Sequence, residues 1–467
     1  MLEIHDGVGP VPWLVYQQRR TRRWLQASLG IDRAIGFTIL ARGWSSAAGL
    51  VTVALIARFL SPAEQGYYYT FGSLIALQIV FELGFSLVIL QMASHERAHL
   101  TFHAGGLIAG DPIAHARLAS VLQKTVRWYT SAAVILAIFL LSAGSYFFST
   151  HPQGAGNVSW HIPWIADALA ATFTFQLDPL LSFMEGCGYV PNIARLRLAQ
   201  AVTGSTLAWL ALITRHGLFA PAMIIGGYAG VALFWLLRRR DLLLPLMRHN
   251  PGEHLIRWGK EVWPFQWRIA VSWLSGYFIF QLYNPVLFAY HGAVVAGQMG
   301  MSLTLTSALL TVAISWVNTK AAPFGAMIAR KEYTKLDQVF FASVRQALTV
   351  CVVGVVAVWI LVKYLNWAHF AVAHRVLDPT ALGILLVTAP LNIIIFAEAT
   401  YLRAHKQEKF LLNSVLGAIL VGSSTYFLGR SYGAMGVVTG SLLVGLIMGL
   451  PLGTYTFLKY RRIWHAA

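Results

Sequence analysis

Residues 42–49 of this chain read Arg42-Gly-Trp-Ser-Ser-Ala-Ala-Gly49, and residues 268–275 read Arg268-Ile-Ala-Val-Ser-Trp-Leu-Ser275. Both stretches follow the pattern Arg-x-x-x-Ser-x-x-small, and both lie inside long apolar segments. An arginine inside a bilayer costs roughly 2.5–3.5 kcal/mol on insertion scales, so it usually faces a cavity or a partner. Two such arginines at matching places predict a duplicated membrane protein with a cationic cavity between its halves.

The composition also indicates a membrane protein. Of the 467 residues, 57% are hydrophobic and only 11% are charged, whereas soluble proteins carry about 25% charged residues. Apolar runs of about 20 residues, the length of a membrane-spanning helix, recur from end to end. We predict an all-α polytopic protein with about twelve spans, at residues 34–60, 66–92, 127–149, 161–186, 192–213, 219–237, 264–290, 296–318, 346–367, 379–402, 411–428 and 433–458.

The distribution of basic residues predicts the topology. With twelve spans, 27 of the 35 Lys and Arg residues fall in loops on one side, and the opposite loops hold only Arg215, Lys363, Arg375 and Arg430. By the positive-inside rule the basic side is cytoplasmic and holds both termini. The net charge of +17 is therefore explained without a nucleic-acid partner.

The predicted organisation has two six-helix lobes. A cytoplasmic basic arm (1–33) precedes the N-terminal lobe (34–240), and a cytoplasmic linker (241–263) leads to the C-terminal lobe (264–458) and a tail (459–467). The sequence has no phosphate-binding loop, catalytic constellation or metal-ligand spacing. These observations predict a transporter and no enzyme, with no cofactor. The energy source is an ion gradient (H⁺ or Na⁺), the membrane potential or the substrate's own gradient, and these alternatives stay open.

Arg42 and Arg268 are the predicted substrate-binding residues. Arg42 follows Arg33 by nine residues, and Arg268 follows Lys260 by eight. Because a helix rises 1.5 Å per residue, each lies roughly 12 Å into its span from the cytoplasmic end. The planar guanidinium group suits a phosphate or diphosphate, to which it donates two parallel hydrogen bonds. The alternative is that both side chains snorkel toward the headgroups. Small residues on the same faces are expected to line the cavity, namely Ser46, Gly49, Ser272 and Ser275.

Glu82, Asp178 and Glu398 are the candidates for ion coupling. Each lies within a predicted span, and buried protonatable groups in transporters often relay ions. A structural role, as a salt bridge or as a hydrogen-bonded acid, is the alternative for each.

Two motifs resemble those of a known family. The run Ile56-Ala-Arg-Phe-Leu-Ser-Pro-Ala-Glu-Gln-Gly66-Tyr-Tyr-Tyr, followed by Phe71-Gly-Ser-Leu, resembles the first hairpin of Wzx-type polysaccharide flippases. These belong to the multidrug/oligosaccharidyl-lipid/polysaccharide (MOP) exporter superfamily. The run Glu185-Gly-Cys-Gly-Tyr-Val-Pro-Asn-Ile-Ala-Arg195-Leu-Arg197 resembles the family's turn between spans four and five. The six-plus-six plan matches over nearly the whole chain.

The resemblance implies a flippase of the bacterial inner membrane. Such a protein moves a polyisoprenyl-diphosphate-linked oligosaccharide to the outer leaflet by alternating access, for O-antigen, capsule or exopolysaccharide synthesis. It also implies a cationic cavity in which Arg42 and Arg268 bind the diphosphate. The expected partners are this lipid-linked oligosaccharide, membrane lipids, and the polymerase and chain-length regulator of the same pathway. The chain departs from the family in having few other cations within its spans.

Three alternatives remain at this point. A drug–cation antiporter of the MATE type shares the fold and would favour acidic residues in its cavity. A polysaccharide polymerase or ligase is expected to carry a sizeable outward loop, and the outward loops here are short. A scaffold without transport activity would leave no trace in the sequence.

Overall fold

The computed structural model describes residues 33–103, 107–151, 158–253, 255–405 and 407–466. The predicted N-terminal arm therefore lies outside the described residues, except for its last position. Of the residues described, 87% are helical. Within the same ranges, the single small sheet pairs β1 (Leu100–Phe102) with β2 (Ile108–Gly110) in antiparallel register.

The described part of the first half contains nine α-helices. They are α1 (Arg33–Phe59), α2 (Pro62–Ile75), α3 (Ile79–Glu82), α4 (Phe85–Arg97), α5 (Pro112–Phe139), α6 (Ser145–Thr150), α7 (His161–Gly186), α8 (Val190–Ile213) and α9 (Ala220–Leu237). A 3₁₀ turn joins α2 to α3, and a π-helical turn joins α5 to α6. The linker adds α10 (Arg240–Arg248) and α11 (Trp258–Glu261).

In the second half, residues 263–405 and 407–466 are described and form eight α-helices. They are α12 (Trp263–Phe280), α13 (Tyr283–His291), α14 (Ala293–Asn318), α15 (Ala321–Ala329), α16 (Tyr333–Trp367), α17 (Pro379–Ala404), α18 (Leu411–Val444) and α19 (Leu450–Ala466). A π-helical turn connects the last two.

The described helices account for the predicted spans. Eight continuous segments are long and apolar enough to cross a membrane, and the bent segment of α2–α4 makes nine. The segment Leu411–His465 has 55 residues, which is far more than the roughly 20 needed for one crossing. It divides at Gly433, where the backbone is not helical. The fourth and seventh predicted spans coincide with α7 and with the pair α12–α13, which are not among these nine segments. This confirms the predicted all-α polytopic fold.

Local chemistry sets the helix ends and breaks. Ser61 and Glu64 form a reciprocal capping box at the start of α2, which satisfies two backbone N–H groups. The break between α3 and α4 has two left-handed residues, Leu83 and Gly84. Glycine suits the second position because its φ is +69° and an added Cβ would lie 2.7 Å from Ile269 Cγ2.

Each half forms a helical bundle, and the two halves meet through α2 and α14. In the first half α1 packs on α8, α8 on α9, and α7 on α4, α5 and α9. In the second half α12 packs on α18, and α14 on α16 and α17. We name the surface that carries the basic loops the basic face, and the other end of the bundle the opposite face.

At the opposite face, a set of contacts that we call the seal joins the two halves. Gln65 Nε2 donates hydrogen bonds to the carbonyl oxygens of Gly297 and Arg375, each at 2.8 Å. Arg375 Nη2 donates to the Leu60 carbonyl at 2.6 Å. Gly66 packs directly on the backbone of α14. The halves are thus closed together at this face.

Candidate functional site

A cavity of about 700 Å³ lies between the two halves, on the side where α1 faces α14. Its lining includes Arg42, Ser46 and Gly49, three of the predicted site residues. The other lining residues are Thr38, Ala41, Ser45, Leu50, Val53, Asp178, Ala194, Arg197, Gln200, Ala201, Tyr228, Thr304, Leu305, Ser307, Ala308 and Thr311. On α1 these positions recur at helical spacing, so one face of the helix points into the cavity.

Two tryptophans fix the rotation of α1. Trp44 Nε1 donates to Ser205 Oγ at 3.0 Å, and Trp209 Nε1 donates to Thr52 Oγ1 at 2.9 Å. Both hydrogen bonds join α1 to α8. Residues two apart on a helix differ by about 200° around its axis. Because Trp44 faces α8, Arg42 is directed to the other side of α1, where the cavity lies.

Arg197 is the second cation of the cavity, and it is the last residue of the run that resembles the family's turn between spans four and five. In the structure α8 begins at Val190, so Arg197 lies about 10 Å into the helix. It interacts electrostatically with Asp178 of α7, which lines the same cavity. Opposite charges on two consecutive spans were the sequence signal that could have identified this position.

The charged residues of this cavity all come from the first half. Arg42 and Arg197 supply two positive charges and Asp178 one negative charge, while α14 contributes no charged residue to the lining. Neither guanidinium group forms an ion pair with a carboxylate of the described residues. Both therefore have hydrogen-bond donors available for an anionic ligand.

Arg268 is not among the residues that line this cavity. Its guanidinium carbon lies 5.4 Å from the centre of the Trp267 ring. Ser275 is buried and donates to the Val271 carbonyl of its own helix at 2.8 Å, and Ser272 is half-buried. The structure thus separates the two arginine motifs, and the diphosphate-binding role of Arg268 stays a prediction.

The three predicted coupling acids occupy two places. Glu82 interacts with Ser86 and with Asp178, which brings these two acids together beside the cavity. Glu398 lies apart from them, in the second half, and accepts a hydrogen bond from Thr454 at 2.8 Å. It is 4% exposed. Ion coupling by these three acids stays a prediction.

At the basic face, the linker and α12 dock on the first half. Arg117 at the start of α5 donates to Glu96 and to Glu261, each at 2.8 Å. The hydrogen bonds from Arg117 and from the Arg257 backbone lower the pKa of Glu261. Gln266 of α12 donates to the Leu83 carbonyl at the break between α3 and α4. These contacts bring α12 against the broken helix, whereas the cavity lies on the α1–α14 side.

Comparison with known proteins identifies the fold. No protein-family model and no curated protein matches the sequence. An inward-facing multidrug resistance MATE family transporter of the MOP superfamily is 14% identical, with 91% of this chain and 99% of that chain aligned and a TM-score of 0.68. The lipid II flippase MurJ, in an inward closed conformation, is 13% identical, with 92% and 90% aligned and a TM-score of 0.58. This chain has the fold of the MOP-superfamily transporters.

An outward-facing MATE family transporter of this superfamily also matches, with 14% identity, 91% and 96% of the two chains aligned and a TM-score of 0.53. The MATE-like part of the predicted fold class is therefore confirmed. Because identities near 14% show the fold alone, membership of the Wzx-type subclass stays a prediction.

Proposed function

We propose that this protein is a MOP-type flippase that carries a polyisoprenyl-diphosphate-linked oligosaccharide across the membrane. The proposal is supported mainly by the cavity between α1 and α14, on whose wall lie two guanidinium groups that form no ion pair within the described residues. A diphosphate is the head-group element that such groups recognise best, because each guanidinium can donate two parallel hydrogen bonds to it.

The size of the cavity agrees with a sugar head group. A volume of about 700 Å³ lies within the range of roughly 300–1,000 Å³ found for pockets that enclose a small molecule. The hydroxyl groups of Ser46, Ser307 and Thr311 lie on its walls and can hydrogen-bond to sugar hydroxyls. Ile39 and Leu40, on the same turn of α1 as Arg42, are more than half exposed. They offer an apolar surface on which the polyisoprenyl tail could remain in lipid.

The cavity charge also defines the rival function. Asp178 lines the cavity, and Glu82 is its electrostatic neighbour. Acidic groups in a cavity suit an organic cation, so these residues favour a drug–cation antiporter. The lining carries two arginines against one aspartate, and this balance favours the anionic substrate.

A binding experiment separates the two functions. The purified protein in lipid nanodiscs is titrated with undecaprenyl diphosphate, with undecaprenol and with ethidium. A hydrogen bond to a charged group contributes about 1.5–3 kcal/mol, so Arg42→Ala and Arg197→Ala should each weaken diphosphate binding about tenfold or more. Binding of undecaprenol, which lacks the diphosphate, should not respond to either substitution.

Arg58→Ala is the matched control, because Arg58 is exposed at the other end of α1 and does not line the cavity. Equal binding of undecaprenyl diphosphate by the wild type and both cavity variants would refute the proposal. Tight ethidium binding that is lost in Asp178→Asn would support the antiporter instead.

A further inference from the structure

Asp167 of α7 is an acid that none of the functions above uses. Its side chain is fully buried, and neither carboxyl oxygen has a hydrogen-bond partner among the described residues. Trp164, one turn earlier on the same helix, packs against the rings of Phe71 and Phe148. An unpaired carboxylate in such a place costs several kcal/mol, and a buried acid can avoid this cost by binding a proton.

The surroundings of Asp167 favour a proton over a metal ion. A sodium or calcium ion would need several oxygen ligands around the carboxylate. The described residues contain no group of three or more potential metal-binding side chains of His, Cys, Asp or Glu. In the same part of the chain, no Lys, Arg or His forms an ion pair with Asp167.

Tyr68 connects Asp167 to the cavity. It lies on α2, interacts electrostatically with Asp167, and also interacts with Tyr228 of α9. Tyr228 lines the cavity that contains Arg42 and Arg197. Tyr68 thus has both the buried acid and a residue of the candidate binding site as electrostatic neighbours.

The same turn of α2 forms the contact between the halves. The ring centre of Tyr67 lies 4.9 Å from that of Phe288 in the second half. Tyr69 packs closely on Gly300 of α14, where a Cβ added to Gly300 would lie 2.3 Å from the Tyr69 ring. Tyr68, an electrostatic neighbour of Asp167, lies between these two residues in the chain. Opening of the seal has to move this turn, and the movement would change the surroundings of Asp167.

We propose that Asp167 is a proton-binding site that controls the seal. With the seal closed, Asp167 holds a proton. When the seal opens, water from the opposite face reaches the carboxyl group, which releases the proton to that water. By linkage, acid then favours the sealed conformation and alkali favours the open one, because protons bind more tightly to the sealed form.

Distance measurements between spin labels test this proposal without any substrate. The labels are placed on Ile162→Cys and Trp367→Cys, which are 70% and 76% exposed at the opposite face, one in each half. The buried native cysteines, Cys187 and Cys351, are replaced by alanine. The full-length protein in nanodiscs is studied from mildly acidic to mildly alkaline pH.

In the wild type, the long-distance population should grow as the pH rises. Asp167→Asn, which mimics the neutral acid, should lose this pH response and stay sealed, whereas Asp167→Glu should keep a response with a shifted midpoint. Asp241→Asn is the control, because that side chain is 72% exposed at the basic face. Infrared spectroscopy should also show a protonated carboxylic acid in the sealed wild type that Asp167→Asn lacks.

The proposal is overturned if Asp167→Asn keeps the wild-type pH response, or if the wild type has none. If Asp167→Asn does not fold, a wild-type infrared spectrum without a protonated carboxylic acid overturns it equally. Because no lipid diphosphate enters these measurements, failure of the proposed substrate would leave the result unaffected.

Discussion

Gly66 offers the sharpest test of the seal. An added Cβ at this position would lie 1.9 Å from the Ala293 carbonyl oxygen, whereas ordinary contact begins at 3.4 Å. In Gly66→Ala, α2 and α14 must therefore move apart by about 1.5 Å, the difference between these distances. Overpacking of this kind typically costs about 1–3 kcal/mol. Because the contact exists only while the seal is closed, the equilibrium should shift about 5- to 150-fold toward the open form.

Labelling of a cysteine behind the seal measures this shift. Ser73 is 3% exposed and accepts a hydrogen bond from Asn284 of the second half at 3.1 Å. Ser73→Cys is introduced into a background without Cys187 and Cys351, and a membrane-impermeant thiol reagent is added from the opposite face. The labelling rate should rise with the open fraction, by the factor given above.

Gly226→Ala is the matched control for this substitution. Gly226 lies within α9, and an added Cβ there has no atom within 4 Å. Replacing glycine by alanine within a helix adds about 0.8–1.0 kcal/mol of intrinsic helix propensity, and this gain is the same at Gly66 and at Gly226. A difference in labelling rate between Gly66→Ala and Gly226→Ala therefore reports only the contact between Gly66 and Ala293. Equal labelling rates in two folded variants would refute the steric basis of the seal.

Two further outcomes follow from charged contacts. Arg375→Ala removes the 2.6 Å hydrogen bond to the Leu60 carbonyl. Because a hydrogen bond from a charged group contributes about 1.5–3 kcal/mol, its loss should raise the labelling rate of Ser73→Cys about tenfold or more. An unchanged rate would exclude Arg375 from the seal. Hydrogen bonds from Arg117 and the Arg257 backbone lower the pKa of Glu261. The stabilisation from these hydrogen bonds is therefore complete above the ordinary glutamate pKa of about 4.3. It is lost as the pH falls through the lowered pKa of Glu261 in the folded protein. In the wild type, hydrogen exchange in residues 255–262 should therefore accelerate only at a pH below the ordinary glutamate pKa. In Glu261→Gln it should be fast at all pH values. Slow exchange in Glu261→Gln at neutral pH would contradict this.

The sequence predicted the spans well because a bilayer demands about 20 apolar residues per crossing. The same pattern did not predict the parts of helices that extend beyond the membrane, because those parts do not need to be apolar. The third span was predicted to begin at residue 127, but α5 begins at Pro112; the ninth was predicted from residue 346, but α16 begins at Tyr333. Much of the chain between the predicted spans 66–92 and 127–149, and between 296–318 and 346–367, is helical. Asp111, which caps the first turn of α5, was the available signal for one of these starts.

Half of the candidate site could be predicted, and the rest depended on helix rotation. Arg42 and Arg268 have the same local motif, but a motif does not say which way a helix faces when lipid and protein interior are both apolar. For α1 the answer comes from Trp44 and Trp209, whose partners lie 161 and 157 residues away in the chain. Arg268 instead lies beside Trp267 of its own helix. Only the assembled bundle distinguishes these two arginines.

The asymmetry of the cavity limits what the substrate can do by itself. Arg42, Arg197 and Asp178 all belong to the first half, so they would move together when the halves rock. A ligand held mainly by one body binds both conformations with similar affinity, and equal affinity shifts no equilibrium however tight the binding. The conformational energy must then reside where the halves separate, which is the seal of Gln65, Gly66 and Arg375. A proton on Asp167, against the helix that forms this seal, distinguishes the two conformations as the substrate alone does not.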